Sequence, residues 1–164
     1  MQPLSEPDKK CLDAAEGWLG LGNWIEAKAE LDNLRPQMRE HPAVLCVRWN
    51  IYAAAKQWEA AAVVARKLSQ LTPQLAFPWI QLAHSLHSLK RTEEARNTLL
   101  PVVDRFPRQP FIRYKLACYA CQLGHLQEAQ HWLQAALELG DSTEVVKMAL
   151  QDPDLKPLWL RRTH

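Results

Sequence analysis

Small and apolar residues recur along the chain with a period of 34. Four alanines mark the register, each 34 residues from the next: Ala27, Ala61, Ala95 and Ala129. Apolar side chains follow four and seven residues later: Leu31, Ala65, Leu99 and Leu133, then Leu34, Leu68, Val102 and Ala136. Spacings of four and seven residues place side chains on one face of an α-helix. The pattern therefore predicts four helices, each with one apolar face.

A second apolar stripe precedes each of these helices. In the third copy it comprises Trp79, Leu82, Ala83 and Leu86. In the first copy Trp18 has the place of Leu86. The two stripes of each copy are joined by GLGN, AAKQ, SLKR and QLGH. Such short connections leave room only for antiparallel neighbouring helices. Each copy is therefore predicted to be a helix pair, with a bend or break in the third copy at Pro101, which removes a backbone hydrogen bond.

The period and these positions resemble the tetratricopeptide repeat (TPR) family, whose 34-residue motif the third copy matches best. The matching positions there are Trp79, Leu82, Ala83, Leu86, Ala95, Leu99, Val102 and Pro107. The resemblance implies an all-α fold, a right-handed α-solenoid of four TPR helix-turn-helix repeats with a C-terminal capping helix. The predicted repeats are 8–41, 42–75, 76–109 and 110–143, after a flexible N-terminus at 1–7.

Residues 144–164 are predicted to form the capping helix and tail. Stacked repeats bury each other's faces, so the last repeat needs a cover with one polar side. Trp159 and Leu160 are expected to pack onto the fourth repeat, and Arg161 and Arg162 to remain in water. A tail that binds a partner is the alternative.

Composition excludes several classes of protein. The 164 residues carry a formal net charge of +2 without blocks of one sign, which does not favour nucleic acid or a membrane surface. No segment approaches the roughly 20 apolar residues of a membrane span. Four cysteines in apolar stretches suit reduced thiols, so we expect a cytoplasmic protein: Cys11, Cys46, Cys118 and Cys121.

The sequence lacks the motifs of common catalytic sites. It has no Gly-rich phosphate loop, no His-Glu-x-x-His helix and no Gly-x-Ser-x-Gly turn. We therefore expect a non-catalytic protein without a cofactor.

The TPR resemblance implies that the first helix of each repeat lines a concave groove that binds a peptide segment or helix of another protein. The predicted groove residues are Cys46, Asn50, Phe77, Ile80, His84, His87, Phe111, Tyr114, Cys118, Cys121 and Gln122. They are largely apolar and aromatic, with a few polar groups. The expected function is a protein–protein interaction module or assembly adaptor, and an empty apolar groove also leaves a homo-oligomer open.

Two other functions remain open. Some small TPR proteins are secretion-type chaperones that keep a client protein soluble. The second alternative is a metal-binding module, because His84 and His87 precede Cys118 and Cys121 by 34 residues each. Equivalent places on adjacent helices would suit a tetrahedral zinc site. A redox role for the Cys-x-x-Cys pair is disfavoured by its mid-helix position, and plain groove residues are the simplest interpretation.

Overall fold

The computed structural model describes residues 3–139 and 142–160. In these ranges the regular structure is helical, without a strand. The α-helices are α1 (Glu6–Gly20), α2 (Trp24–Asp32), α3 (Pro42–Ala54), α4 (Trp58–Leu71), α5 (Ala76–Ser88), α6 (Thr92–Leu99), α7 (Pro110–Gln122), α8 (Leu126–Leu137), α9 (Ser142–Gln151) and α10 (Lys156–Leu160). Short 3₁₀ turns occupy Pro36–Met38, Leu100–Val102 and Pro153–Leu155. The predicted all-α fold class is confirmed.

The chain divides into two compact bodies, and the boundary falls inside α5. The N-terminal body ends at Ser85 and the C-terminal body begins at Leu86. In the N-terminal body, α1 pairs with α2, α3 pairs with α4, and α3 also packs against α1 and α2. In the C-terminal body, α7 packs against α6, α8 and α9. Helix α7 is thus the central element of its body.

The positions of the 34-residue register form the core of these helices. Each of the four register alanines is fully buried, and the two apolar positions that follow each alanine are at most 7% exposed. A methyl side chain lets a neighbouring helix approach closely, because no longer side chain separates the two backbones. The predicted apolar faces are therefore confirmed by burial.

Helix α1 begins at Glu6, two residues before the first predicted repeat. Ser5 caps it, because its hydroxyl accepts from the backbone N–H of Asp8 while the Asp8 carboxylate accepts from the Ser5 N–H. Arg35 donates to both carboxylate oxygens of Asp8, at 3.3 and 2.5 Å. The hydrogen bonds from Arg35 and then Ser5 hold the pKa of Asp8 far below its usual range. The cap therefore also ties the start of α1 to the segment after α2.

The turns within the helix pairs repeat one backbone geometry. A positive φ recurs every 34 residues, at Gly22 (75°), Lys56 (56°), Lys90 (64°) and Gly124 (82°). The next backbone N–H bonds back five residues in each case: Asn23 to Trp18, Gln57 to Tyr52, Arg91 to Leu86 and His125 to Ala120. This is the Schellman ending of a helix, which satisfies carbonyl groups that the helix leaves unpaired.

Two local predictions have different outcomes. Helix α6 ends at Leu99 and gives way to the 3₁₀ turn that contains Pro101, so of the predicted bend or break the structure has a break. Trp18 is 36% exposed, so its assignment to the packing stripe is wrong. No helix in the described ranges combines the length and apolar character needed to cross a membrane.

Candidate binding surface

Five of the predicted groove residues remain at least partly exposed in the N-terminal body. Cys46 and Asn50 lie on α3, and Phe77, Ile80 and His84 lie on α5. Asn50 is exposed and Phe77 is 51% exposed, whereas the other three are half-buried. We name these five residues the α3–α5 face. It combines apolar side chains with one exposed amide.

Trp49 joins the two helices of this face. Its indole Nε1 donates to the hydroxyl of Ser85 at 3.0 Å. His84 packs between two tryptophans, with ring centroids 6.2 Å from Trp49 and 5.2 Å from Trp58, the latter edge-on. The imidazole of His84 on the α3–α5 face is therefore packed against two aromatic rings of the N-terminal body.

Three predicted groove residues of the C-terminal body are buried, unlike the sequence expectation. Tyr114, Cys118 and Cys121 are 1%, 0% and 3% exposed. They are covered because residues 152–155, which follow α9, fold against α7. Two further predicted residues, Phe111 and His87, are half-buried, and the Phe111 ring lies 5.6 Å from that of Tyr114.

Polar side chains hold this covering turn in place. The Tyr114 hydroxyl donates to Asp152 Oδ2 at 2.5 Å, and the Cys118 thiol lies 3.5 Å from the same oxygen. The side-chain amide of Gln122 donates to the backbone carbonyl of Asp154 at 2.8 Å. The predicted groove positions of α7 therefore bind a segment of the same chain.

His87 completes the contacts with the turn. Its Nε2 lies 3.0 Å from Asp154 Oδ2, and its Nδ1 lies 3.0 Å from the Thr92 hydroxyl. The hydrogen bond from His87 lowers the pKa of Asp154, and the positive charges of Lys115 and Lys90 act in the same direction. Asp154 thus occupies an electropositive position.

Burial controls the chemistry of the thiols. It raises the pKa of Cys118 far above the usual value, and it also raises the pKa of Cys121 and of Cys46. A thiol that stays protonated is a poor nucleophile and a poor metal ligand. The structure therefore offers no support for a redox role of the Cys-x-x-Cys pair.

The proposed metal cluster is not assembled in the described residues. No group of three or more His, Cys, Asp or Glu side chains in these ranges is arranged to hold a metal ion. Both ring nitrogens of His87 already have polar neighbours, Thr92 and Asp154. The residues suggested for zinc, His84, His87, Cys118 and Cys121, instead make packing and hydrogen-bond contacts.

The apolar contacts of the C-terminal cover differ from those predicted. Leu155 and Leu158 are 0% and 4% exposed, whereas Leu160 is 69% exposed. The expectation that Leu160 packs down is therefore wrong, and Trp159 is half-buried. Arg161 and Arg162, expected in water, lie outside the described residues.

Sequence reasoning missed Asp152 and Asp154 as contact residues. Asp152 caps the 3₁₀ turn Pro153–Leu155, because its Oδ1 accepts from the Asp154 N–H at 2.9 Å. Asp followed by Pro is a common start of a turn. That signal gives the turn, but it does not identify the helix against which the turn packs.

The fold of this chain is similar to that of several solved structures. No family model and no curated protein matches the chain. The MamA RS-1 ArsTM double mutant aligns over 85% of this chain and 79% of its own, with 16% identity and a TM-score of 0.73. MamA MSR-1 aligns over 81% and 76%, with 18% identity and a TM-score of 0.69. MamA AMB-1 aligns over 87% and 77%, with 20% identity and a TM-score of 0.66. The chain therefore has the fold of MamA, a TPR-like all-helical protein.

Proposed function

We propose that this protein is a non-catalytic interaction module or assembly adaptor that binds a peptide segment or helix of another protein. The predicted groove on the first helices of the repeats is the binding surface. The observation that carries the proposal is that the groove positions of α7 already bind a polypeptide segment, residues 152–155. Residues one and two repeat lengths before these positions are equivalent to them in the 34-residue repeat.

The counterparts lie on the α3–α5 face. Ile80 and Cys46 precede Tyr114 by one and two repeat lengths, and His84 and Asn50 precede Cys118 in the same way. Because the repeats share one register, side chains at equivalent positions project from equivalent sides of their helices. Helix α7 uses this side to hold a peptide segment, whereas Asn50 and Phe77 remain exposed on the α3–α5 face.

The chemistry of the α3–α5 face selects the kind of segment that it binds. Full burial of a phenylalanine side chain contributes about 1.5–3 kcal/mol relative to full exposure. About half of this is available at Phe77, which is 51% exposed. The exposed amide of Asn50 can hydrogen-bond to a backbone or side-chain group of the segment. We therefore propose an apolar peptide or helix, oriented by one polar contact with Asn50.

The cysteines fit a reducing compartment. The four cysteines are free thiols, and two of them, Cys118 and Cys121, are buried against their own body. We propose that the module acts in the cytoplasm, where such thiols remain reduced.

Site-specific crosslinking tests the location of the binding surface. A photoreactive phenylalanine analogue at position 77 should capture a partner when the full chain is irradiated in cells that produce it. The same analogue at Val63, which is 68% exposed on α4, is the matched control. A second copy of this chain captured at 77 would identify self-association through the same face. Equal capture at both positions would contradict the proposal.

A further inference from the structure

We propose that α7 carries a second binding site, specific for an acidic Asp-x-Asp-Leu segment, and that residues 152–155 are its resident occupant. A partner segment of that chemistry binds by displacing the resident turn. The site, named the α7 site, comprises Tyr114, Cys118 and Gln122 of α7 together with His87 at the end of α5. The proposal rests on the proposed function, because it assumes a partner, but it concerns a different surface from the α3–α5 face.

Directed polar contacts distinguish this arrangement from a simple apolar cover. Three side chains from different positions converge on one short turn: Tyr114 on the Asp152 carboxylate, His87 on the Asp154 carboxylate and Gln122 on the Asp154 carbonyl. Apolar burial shields a helix face from water, and these polar contacts add a requirement for particular groups in the segment that covers it. The contacts of Tyr114 and His87 depend on the two carboxylates, whereas that of Gln122 depends only on the position of the backbone carbonyl.

The charges around the α7 site match an acidic segment. Lys115 and Lys90 act on Asp154 from the same body, and their positive charges favour its ionised form. The Lys115 ammonium also lies 5.6 Å from the centre of the Tyr114 ring. Among the described residues, the acidic groups that act on Cys118 and Tyr119 of α7 are the two of the turn itself, Asp152 and Asp154. The turn thus supplies the negative charge that the site attracts.

An apolar anchor completes the recognition pattern. Leu155 is fully buried, one residue after Asp154, and Leu158 is 4% exposed on α10. The turn also organises itself, because Asp152 accepts from the Asp154 backbone and Pro153 fixes one backbone angle. Since four consecutive residues carry both the charges and the anchor, a short peptide can reproduce the whole pattern.

Competition between the resident turn and a free peptide tests the proposal. The probe is a fluorescein-labelled peptide, ALQDPDLKPLWL, which corresponds to residues 149–160. Fluorescence anisotropy compares its binding to the full wild-type chain and to the full-length variant Asp152→Asn/Asp154→Asn. We expect the variant to bind at least tenfold more tightly, because its own turn competes less well. A peptide with Asn at both acidic positions should bind neither protein.

Two outcomes would overturn the proposal. One is a folded variant, checked by circular dichroism, that does not bind the acidic peptide. The other is equal binding of the acidic and Asn peptides, which would show that the charges are not recognised. If the variant does not fold, hydrogen–deuterium exchange on the wild-type chain decides: excess acidic peptide must increase exchange in residues 152–158, and no increase contradicts displacement.

A surface variant outside both sites provides a control. Val63→Ala should leave peptide binding to the α7 site unchanged, because Val63 is exposed on α4. Peptide binding without capture of a partner at position 77 would contradict only the proposed function. Capture at position 77 without peptide binding would contradict only the α7 site.

Discussion

Two tyrosines on α7 are equally buried but differ in what their hydroxyl groups contact. The Tyr114 hydroxyl donates to the Asp152 carboxylate, whereas that of Tyr119 has no hydrogen-bond partner in the part of the chain that the structure describes. Both side chains are 1% exposed. This matched pair separates the effect of the hydrogen bond from that of aromatic burial.

Substitution by phenylalanine should affect these two tyrosines differently. Tyr114→Phe removes a hydrogen bond to a carboxylate, so we expect the free energy of unfolding to fall by about 1.5–3 kcal/mol. Tyr119→Phe removes an unpaired buried hydroxyl and should leave stability unchanged or raise it. Urea unfolding at pH 7 measures both values. Equal losses in the two variants would show that the contact with Asp152 does not stabilise the fold.

Because Tyr114 is buried, an alanine variant at this position does not test binding by the groove. Replacing it with alanine would remove a large buried ring, a change that typically costs about 3–5 kcal/mol of stability. Loss of partner binding in such a variant would therefore reflect unfolding as much as lost contact. Phe77, at 51% exposure, is the suitable residue for a binding test.

Four helix-ending turns share one conformation but not one residue type. Gly22 and Gly124 adopt the positive φ without steric cost, whereas Lys56 and Lys90 place a Cβ in the left-handed region. The left-handed conformation costs a residue with a Cβ about 1–2 kcal/mol. Two of the four turns thus carry local strain that the other two avoid.

Relief of that strain should stabilise the protein. We expect Lys56→Gly to raise the free energy of unfolding by about 1 kcal/mol, the steric cost less the added freedom of the unfolded chain. The control is Gly124→Ala, in an open turn without atoms within 4 Å of the new Cβ, which should lower stability by a similar amount. Thermal unfolding of both variants checks the signs. A destabilising Lys56→Gly would mean that the lysine side chain makes a contact worth more than the backbone strain.

At the scale of elements, the sequence predicts the helices better than it predicts their cover. The register alanines determine which face of α2, α4, α6 and α8 is buried, because one period connects all four helices. The break at Pro101 follows from its missing N–H. Both effects can be predicted from the residues of a single helix and from one fixed repeat length.

The cover of α7 depends on contacts between distant residues. Tyr114 and Asp152 are 38 positions apart, and His87 and Asp154 are 67 apart. No periodic pattern connects a polar turn to a helix at such separations. The sequence therefore predicts a C-terminal cap but not the residues through which the cap contacts the helices. Leu160 shows the result: the sequence indicates a buried residue, whereas Leu155 and Leu158 are the ones that pack.

At the scale of the whole molecule, carboxylates link stability to pH. The pKa of Asp154 is lowered by its hydrogen bond from His87, and that of Asp8 by its hydrogen bonds from Arg35 and Ser5. Below the ordinary Asp pKa of about 3.9, the unfolded chain therefore binds more protons at these groups than the folded protein. The stability that they contribute is present above about pH 4 and is lost as the pH falls through the folded pKa values.

The variant Asp154→Asn tests this linkage. It should be less stable than the wild type at pH 7, and the difference should shrink as the pH falls from about 4 to about 2, where the wild-type carboxylate also becomes protonated. Glu59→Gln, which removes an exposed carboxylate from α4, is the matched control. Urea unfolding across this pH range provides the comparison. A difference that stays constant would show that Asp154 acts by packing rather than by charge.

Binding of a partner segment by the α3–α5 face is the central claim for the whole molecule. The most direct measurement is calorimetric titration of the partner captured at position 77 into three full-length proteins: the wild type, Phe77→Ala and Val63→Ala. Phe77 is 51% exposed in the free protein, so a bound segment can bury about half of its surface. The loss of about 0.8–1.5 kcal/mol predicts a roughly four- to twelvefold weaker affinity for Phe77→Ala, with an unchanged affinity for Val63→Ala. Equal affinities of all three folded proteins would contradict the account.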